Sequence, residues 1–343
     1  MPQRGQNHTN KMKYSFIIAS YNRLEEVKEL ITSIDALDYP QDSFELIISD
    51  DGSTDGTVDY LRTQSFGYAF QLLTQPNKGP GAARNHGMEY ARGDYFLFID
   101  SDCILTPDYL RKLDANLDAT HADAFGGPDD CHESFPPLQK AINYSMTSFI
   151  GTGGIRGSEK RVAKYYPRTF NMGIRKEVYA RIGGMNSQRF SEDMDFSARI
   201  YAAGFRVALF RDAFVYHKRR SNLKSFFRQI FNSGVGRINL HASYPDMLKP
   251  IHLAPTVVVA GTVGVLLLAL LFPWAQGLLW LMLGGMALLA CIAFLQSLAK
   301  YKNLKVSFLS ILTLYIQVYA YGCGSWSGLW QHLILRRKVA SGL

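Results

Sequence analysis

The stretch Tyr95-Phe96-Leu97-Phe98-Ile99-Asp100-Ser101-Asp102-Cys103-Ile104-Leu105 decides the fold. Residues 95–99 are apolar or aromatic without interruption, the pattern of a strand buried on both faces in a parallel sheet. Asp100 and Asp102 follow at once, on either side of Ser101. A fully buried strand that ends in Asp-x-Asp delivers acids to the carboxyl edge of a sheet, where open α/β sheets bind ligands. Two carboxylates at that spacing need a cation or protons to compensate them. One reading is a hard divalent metal, Mg²⁺ or Mn²⁺, carrying a phosphate group. The other is a helix cap, in which Ser101 and Asp102 start the helix expected around Pro107–Leu113. An isolated Asp-x-Asp favours the cap, so the rest of the chain decides.

Outward from this stretch, strand and helix alternate. Strands are expected at Tyr14–Ser20, Phe44–Ser49 and Tyr68–Thr74, and helices at about Leu24–Leu37, Val58–Thr63 and Ala82–Ala91. The alternation predicts an α/β fold with a doubly wound, mostly parallel sheet. Beyond Thr106 the patterns loosen. Short strands are expected at Ala122–Gly127, Thr169–Ile174, Phe205–Phe210 and Phe214–His217, and Gly151–Gly157 reads as a glycine-rich loop. Helices are expected at Arg175–Ile182 and from Ser191 to Ala203, with Ser191 as N-cap and Glu192 and Asp193 in the first turn.

The net charge of +8 on 343 residues is unevenly spread. Lys218–Lys249 holds seven basic residues against the single acid Asp246, whereas Leu253–Ala299 holds no charged residue at all. Leu253–Phe272 and Gly277–Ala299 are each long enough to cross a bilayer, joined by a tight turn at Pro273–Gln276. Lys300, Lys302 and Lys305 place the return side of this hairpin in the cytoplasm. Val306–Leu335 is uncharged but carries Gln317, three glycines and two tryptophans. As a third span over about 307–330 it would export Arg336–Lys338 against the positive-inside bias; otherwise it lies in the interface. Ser221–Asn239 reads as an amphipathic helix with Leu223, Phe226, Phe227, Ile230 and Phe231 at helical spacing. Basic charge beside apolar spans points to an anionic membrane surface and away from nucleic acid. The four cysteines form no Cys-x-x-Cys pair, so neither a zinc site nor a disulfide framework is expected. The polar, basic start, MPQRGQNHTNKMK, is not followed by an apolar core and does not read as a signal peptide, which leaves the α/β part expected in the cytoplasm.

A second acid pair decides between cap and metal. Asp50 and Asp51 end the second strand, and in a parallel sheet they emerge at the same edge as Asp100 and Asp102. Two acids before the turn Gly52-Ser53-Thr54-Asp55 exceed what capping needs. A carboxylate there can accept from a base N–H or ribose hydroxyls and so define a nucleotide pocket. Asn77-Lys78-Gly79 sets a cation and a glycine at a helix start suited to phosphate, with Arg84 one turn inside.

Together these residues resemble the family 2 glycosyltransferases, whose fold is of the glycosyltransferase-A type. The resemblance rests on Ile17-Ile18-Ala19-Ser20-Tyr21-Asn22-Arg23, Asp50-Asp51-Gly52-Ser53-Thr54-Asp55, Asn77-Lys78-Gly79 with Ala83-Arg84-Asn85, Asp100-Ser101-Asp102, and Glu192-Asp193, in the family's order. The later part, with Gly151–Gly154, Asn171-Met172-Gly173 and His217-Lys218-Arg219-Arg220, is similar to the succinoglycan-type exopolysaccharide transferases of bacteria. The resemblance implies a nucleotide-diphosphate sugar as donor, UDP being the favoured nucleotide. Ala19, Tyr21, Arg23, Asp50, Asp51, Lys78, Gly79, Arg84, Asp100 and Ser101 would hold it. Asp102, assisted by Asp100, would carry Mg²⁺ or Mn²⁺, with His217 either a further ligand or a plain strand-end histidine. Asp193, beside Glu192, would be the general base of a single inverting displacement, or both are simply first-turn acids. Gly151–Arg156 would line the acceptor site or form a surface loop.

The organisation expected is a polar tail (1–13), a catalytic domain (14–220), a basic amphipathic segment (221–250), C-terminal transmembrane helices (251–335) and a basic tail (336–343). That makes a multi-pass protein of the cytoplasmic membrane with a lipid-linked acceptor. The stretch Arg228-Gln229-Ile230-Phe231-Asn232 lacks the Gln-x-x-Arg-Trp signature of processive synthases, which disfavours a pore-forming polymerase. Transfer onto a polyprenyl phosphate and non-catalytic nucleotide-sugar binding are the rival readings.

Overall fold

A computed structural model describes residues 12–152, 165–186, 192–245 and 248–333. The N-terminal tail, residues 153–157 of the glycine-rich loop, Ser191 and Arg336–Lys338 lie outside the described residues. The described chain forms two compact units, one of residues 12–130 with 165–217, the other of residues 131–152 with 218–333.

The first unit is built on a seven-stranded sheet. Its strands are β1 (Tyr14–Ser20), β2 (Phe44–Asp50), β3 (Ala69–Thr74), β4 (Tyr95–Ile99), β6 (Ala124–Gly126), β8 (Asn171–Arg175) and β9 (Val207–Leu209), in the order β3-β2-β1-β4-β8-β6-β9. All run parallel except β8, which is antiparallel to both β4 and β6. The doubly wound reading holds because side chains alternate across β1: Phe16 and Ile18 pack on one face, Ile17 on the other. The first face is covered by α1 (Leu24–Asp35) through Val27, Leu30, Ile31 and Ile34, and by α4 (Tyr109–Thr120) through Leu110, Leu113 and Leu117. The second is covered by α3 (Pro80–Tyr90) through Met88, α7 (Lys176–Ile182) through Val178, and α8 (Glu192–Ala202) through Phe196 and Ile200. Helix α2 (Thr57–Thr63) follows β2. A small second sheet, β5 (Cys103–Leu105), β10 (Val215–His217) and β7 (Asp129–Asp130), lies just after the Asp-x-Asp; β5 had no sequence signal beyond its three apolar residues.

Gly173 in β8 exists because Phe125 of β6 lies across it; a Cβ at that position would overlap the Phe125 ring. Gly173→Ala is therefore expected to destabilise this unit by about 1–3 kcal/mol through overpacking. The check is a lowered thermal midpoint of the full-length protein in detergent, and an unchanged midpoint would refute it.

The second unit is helical. It comprises α5 (Pro137–Thr147), α6 (Phe149–Thr152), α9 (Leu223–Ser243), α10 (Pro250–Leu271), α11 (Gln276–Tyr301) and α12 (Leu304–Leu333). Gly151 and Thr152, expected in a loop, instead close the short helix α6, where Gly151 N–H donates to the Ser148 carbonyl. Asn222 caps α9 by accepting from Ser225 N–H at 2.8 Å. The apolar stripe of α9 is covered by protein: Phe226 and Ile230 pack with Ile142, Met146 and Ala320, while Phe227 stays exposed. The helices α10, α11 and α12 are each long and apolar enough to cross a membrane.

Candidate functional site

The strands β1, β2 and β4 end at one edge of the sheet. Ser20 pairs with Asp50, and the β1–β4 register, Ile17 opposite Phe98, carried two residues on sets Asp100 beside Ala19. The two acids that end β2 then do different work. Asp50 is fully buried and folds back on its own turn, accepting from Gly52 N–H (3.1 Å), Ser53 N–H (2.7 Å) and the Ser53 hydroxyl (2.5 Å). Gly52 makes that turn possible with φ +86°. Asp51 reaches across to the next loop and accepts from Gln75 Nε2 (2.7 Å), Lys78 N–H (2.9 Å) and Gly79 N–H (2.8 Å).

The Asp51 clamp shapes a cleft of about 240 Å³ lined by Ala19, Tyr21, Asp51, Asn77, Gly79 and Pro80 among others. Four sequence candidates, Ala19, Tyr21, Asp51 and Gly79, thus converge. Gly79, at φ +95° with open space where a Cβ would stand, opens the cleft onto the start of α3. The Lys78 side chain is exposed; its backbone N–H is what the fold uses.

Arg84 is buried in α3 and is consumed by protein acids. Its guanidinium pairs with Asp100 at 2.6 Å and with Glu192 at 3.3 Å, tying the end of β4 to the start of α8. Burial first, and then the adjacent Asp193 carboxylate, push the Glu192 carboxyl above the usual carboxylate range. Asp193 accepts from Met194 N–H at 2.8 Å through Oδ1 and from Arg168 Nε through Oδ2. Ser101 is buried between Asp100 and Asp102.

Asp102 looks toward the small sheet. Its Oδ1 is 3.2 Å from His217 Nε2, and its Oδ2 is 3.4 Å from Arg23. His217 is held on its other side by Asp129, 3.3 Å from Nδ1, and stacks on Phe170. That arrangement fixes which ring nitrogen faces Asp102. Ligand atoms of Asp102, Cys103 and His217 all lie within 4.8 Å of one another. Burial, reinforced by Asp102 and Asp100, drives the Cys103 thiol well up, so it stays protonated and is a poor partner for a hard cation. The donor set that remains, a carboxylate oxygen and an oriented imidazole, fits a divalent cation completed by phosphate oxygens. Asp100, expected beside Asp102 as a ligand, is paired with Arg84 through Oδ1 at 2.6 Å.

Two residues of this constellation escaped sequence reading. Asp129 did leave a signal, since it stands three residues beyond strand β6 as the first of an Asp-Asp pair. Arg168 left none, because only folding brings it to Asp193, 25 residues on.

The layered sheet, with its acids and cleft at one edge, is a glycosyltransferase-A type domain. Residues 15–183, just under half of the chain, match the family model described as glycosyl transferase family 2, and this domain belongs to that family. Among curated relatives, the chain is 27% identical over 231 residues to glycosyltransferase AglE of Haloferax volcanii, covering 66% of this chain and 73% of that protein. It is 26% identical over 250 residues to succinoglycan biosynthesis protein ExoA of Rhizobium meliloti, covering 70% and 74%. A shorter match, 32% over 114 residues, to the poly(ribitol-phosphate) beta-N-acetylglucosaminyltransferase TarS of Staphylococcus aureus covers 33% of this chain and only 20% of that protein. Among solved structures, a mannosyltransferase of Pyrobaculum calidifontis in complex with GDP-Man and Mn²⁺ shares the fold. Its TM-score is 0.64 at 19% identity, with 94% of this chain and 88% of that one covered.

Proposed function

We propose that the protein is a membrane-anchored, divalent-cation-dependent, inverting glycosyltransferase. It moves a sugar from a nucleotide-diphosphate sugar, UDP favoured, onto a hydroxyl of a lipid-linked glycan at the cytoplasmic membrane, its catalytic domain facing the cytoplasm. The observation that carries this reading is the convergence at one sheet edge of the Asp51-shaped cleft, the Asp102–His217 pair and Asp193. The likeness to ExoA, a succinoglycan biosynthesis protein, supports a glycan product, and the Mn²⁺ of the Pyrobaculum calidifontis neighbour supports the cation.

In this reading the cleft beside Asp51 takes the nucleoside, and the backbone amides at the start of α3 face its phosphates. Asp102 and His217 hold the cation, which supplies Lewis-acid stabilisation of the departing diphosphate. Asp193 takes the proton from the acceptor hydroxyl as it attacks the anomeric carbon, and Arg84 keeps Glu192 and Asp100 in register. One contact favours a second reading: Arg168 sits on Asp193, and a polyprenyl phosphate acceptor, already anionic, needs no base.

The test is full-length protein in membrane extract with a panel of UDP- and GDP-sugars, with Mn²⁺, with Mg²⁺ and with chelator. Cation-dependent formation of a lipid-linked glycoside is the expected result. Nucleotide-sugar binding without product across the panel would make the protein a non-catalytic binder.

A further inference from the structure

The three apolar helices do not pack alike. About 44% of the most apolar window of α12 is buried, against 11% for α10 and 6% for the segment carrying α11. The contacts of α12 locate it relative to the α10–α11 hairpin. Near its start, Ser310 hydrogen-bonds Ser297 at 2.8 Å, close to the end of α11 at Tyr301. Sixteen residues later, Trp326 Nε1 donates to the Thr256 carbonyl at 3.0 Å, close to the start of α10 at Pro250. Gly322 lies against Pro255 and Val259 in the same turn of α10. Midway, the Tyr315 and Tyr319 hydroxyls meet the Met286 carbonyl and Thr262.

Sixteen helical residues span about 24 Å at 1.5 Å per residue. An upright third span would carry Trp326 that far from the open end of the hairpin, to the level of Leu271 and Pro273 at its closed tip. Trp326 instead returns to within about two turns of the open end. At Ser310 and at Trp326 α12 therefore sits near the open end, once against α11 and once against α10, and between them the long side chains of Tyr315 and Tyr319 reach toward the middle of the hairpin.

Two independent features agree. The second half of α12 is lined by α9, with Phe231 against Gly324, Gly234 against Tyr321 and Ser325, and Ile238 against Gly328. Helix α9 carries exposed Lys224 and Arg228, charges that a bilayer core does not accept beside it. Trp326 and Trp330 are about half exposed, as aromatics of the headgroup zone are, and α12 has Lys302 before it, Lys305 in its first turn and Arg336–Lys338 after it.

We propose that α12 is an interfacial helix rather than a third span. It lies across the open end of the α10–α11 hairpin with its exposed side on the anionic headgroups of the cytoplasmic leaflet. Both basic flanks then stay on one side, and the conflict with the positive-inside bias disappears.

The test uses the full chain in a bacterial host, fused after Leu343 either to a fluorescent protein that matures only in the cytoplasm or to alkaline phosphatase, active only outside it. A phosphatase inserted after Trp274 in the hairpin tip marks the outer side. The expected pattern is a bright C-terminal fluorescent fusion, an inactive C-terminal phosphatase and an active phosphatase at Trp274. An active C-terminal phosphatase with a dark fluorescent fusion would overturn the proposal.

Discussion

Asp193→Asn is expected to lower turnover by about 10²–10⁴-fold, the range that a positioned general base contributes. Asparagine keeps the size of the side chain and an acceptor oxygen for Met194 N–H or Arg168, so the first turn of α8 and the fold persist. What it removes is the ability to take a proton. The loss should appear in kcat, with the donor affinity measured by calorimetry changed little, because the Asp51 cleft is built by other elements. Initial rates at saturating donor give the first quantity. Near-wild-type turnover would remove Asp193 from the chemistry and move the assignment to a phosphate acceptor, the reading that the Arg168 contact favours.

Asp102→Asn is expected to cost about 10³-fold or more in rate, since a bound cation supplies several kcal/mol of transition-state charge stabilisation. The variant keeps a hydrogen-bonding group toward His217 but removes the carboxylate charge that the Asp102–His217 pair offers a cation. The concentration of Mn²⁺ needed for half-maximal rate should rise together with the fall in turnover. Asp100→Asn makes the contrast: its first effect is on the Arg84 ion pair, so its Mn²⁺ requirement should move far less. If the two variants shift the Mn²⁺ requirement equally, Asp100 is a ligand of the same standing and the structural distinction between them fails.

Much of the first unit was legible because its signals are local. Buried β-strands announce themselves as short unbroken apolar runs, and β1, β2 and β4 fall within a residue of where those runs end. Of the cleft residues, Asp51 and Gly79 were legible from a strand end and a helix start, while Ala19 and Tyr21 came from the family resemblance. The antiparallel direction of β8 was not, because a strand of five residues carries no mark of its orientation. Arg84 looked like a phosphate ligand because a cation near a helix start usually is one; burial against Asp100 and Glu192 gives it a different partner.

The sequence by itself determined the order of strands and helices from β1 to β4, the edge at which the acids emerge and the presence of long apolar helices. All three follow from the period and length of hydrophobic runs, which are properties of neighbouring residues. Only the tertiary structure decided that Asp50 spends itself on its own turn, that Asp102 faces His217 while Asp100 faces Arg84, and that Arg168 sits on Asp193. The last three pairings join residues from 16 to 115 positions apart, and charge partners at such separations are chosen by packing, which no local pattern encodes. The same holds at Asp-x-Asp itself. Its apolar run fixed the strand, but the fold alone divided its two acids between a buried arginine and an oriented histidine.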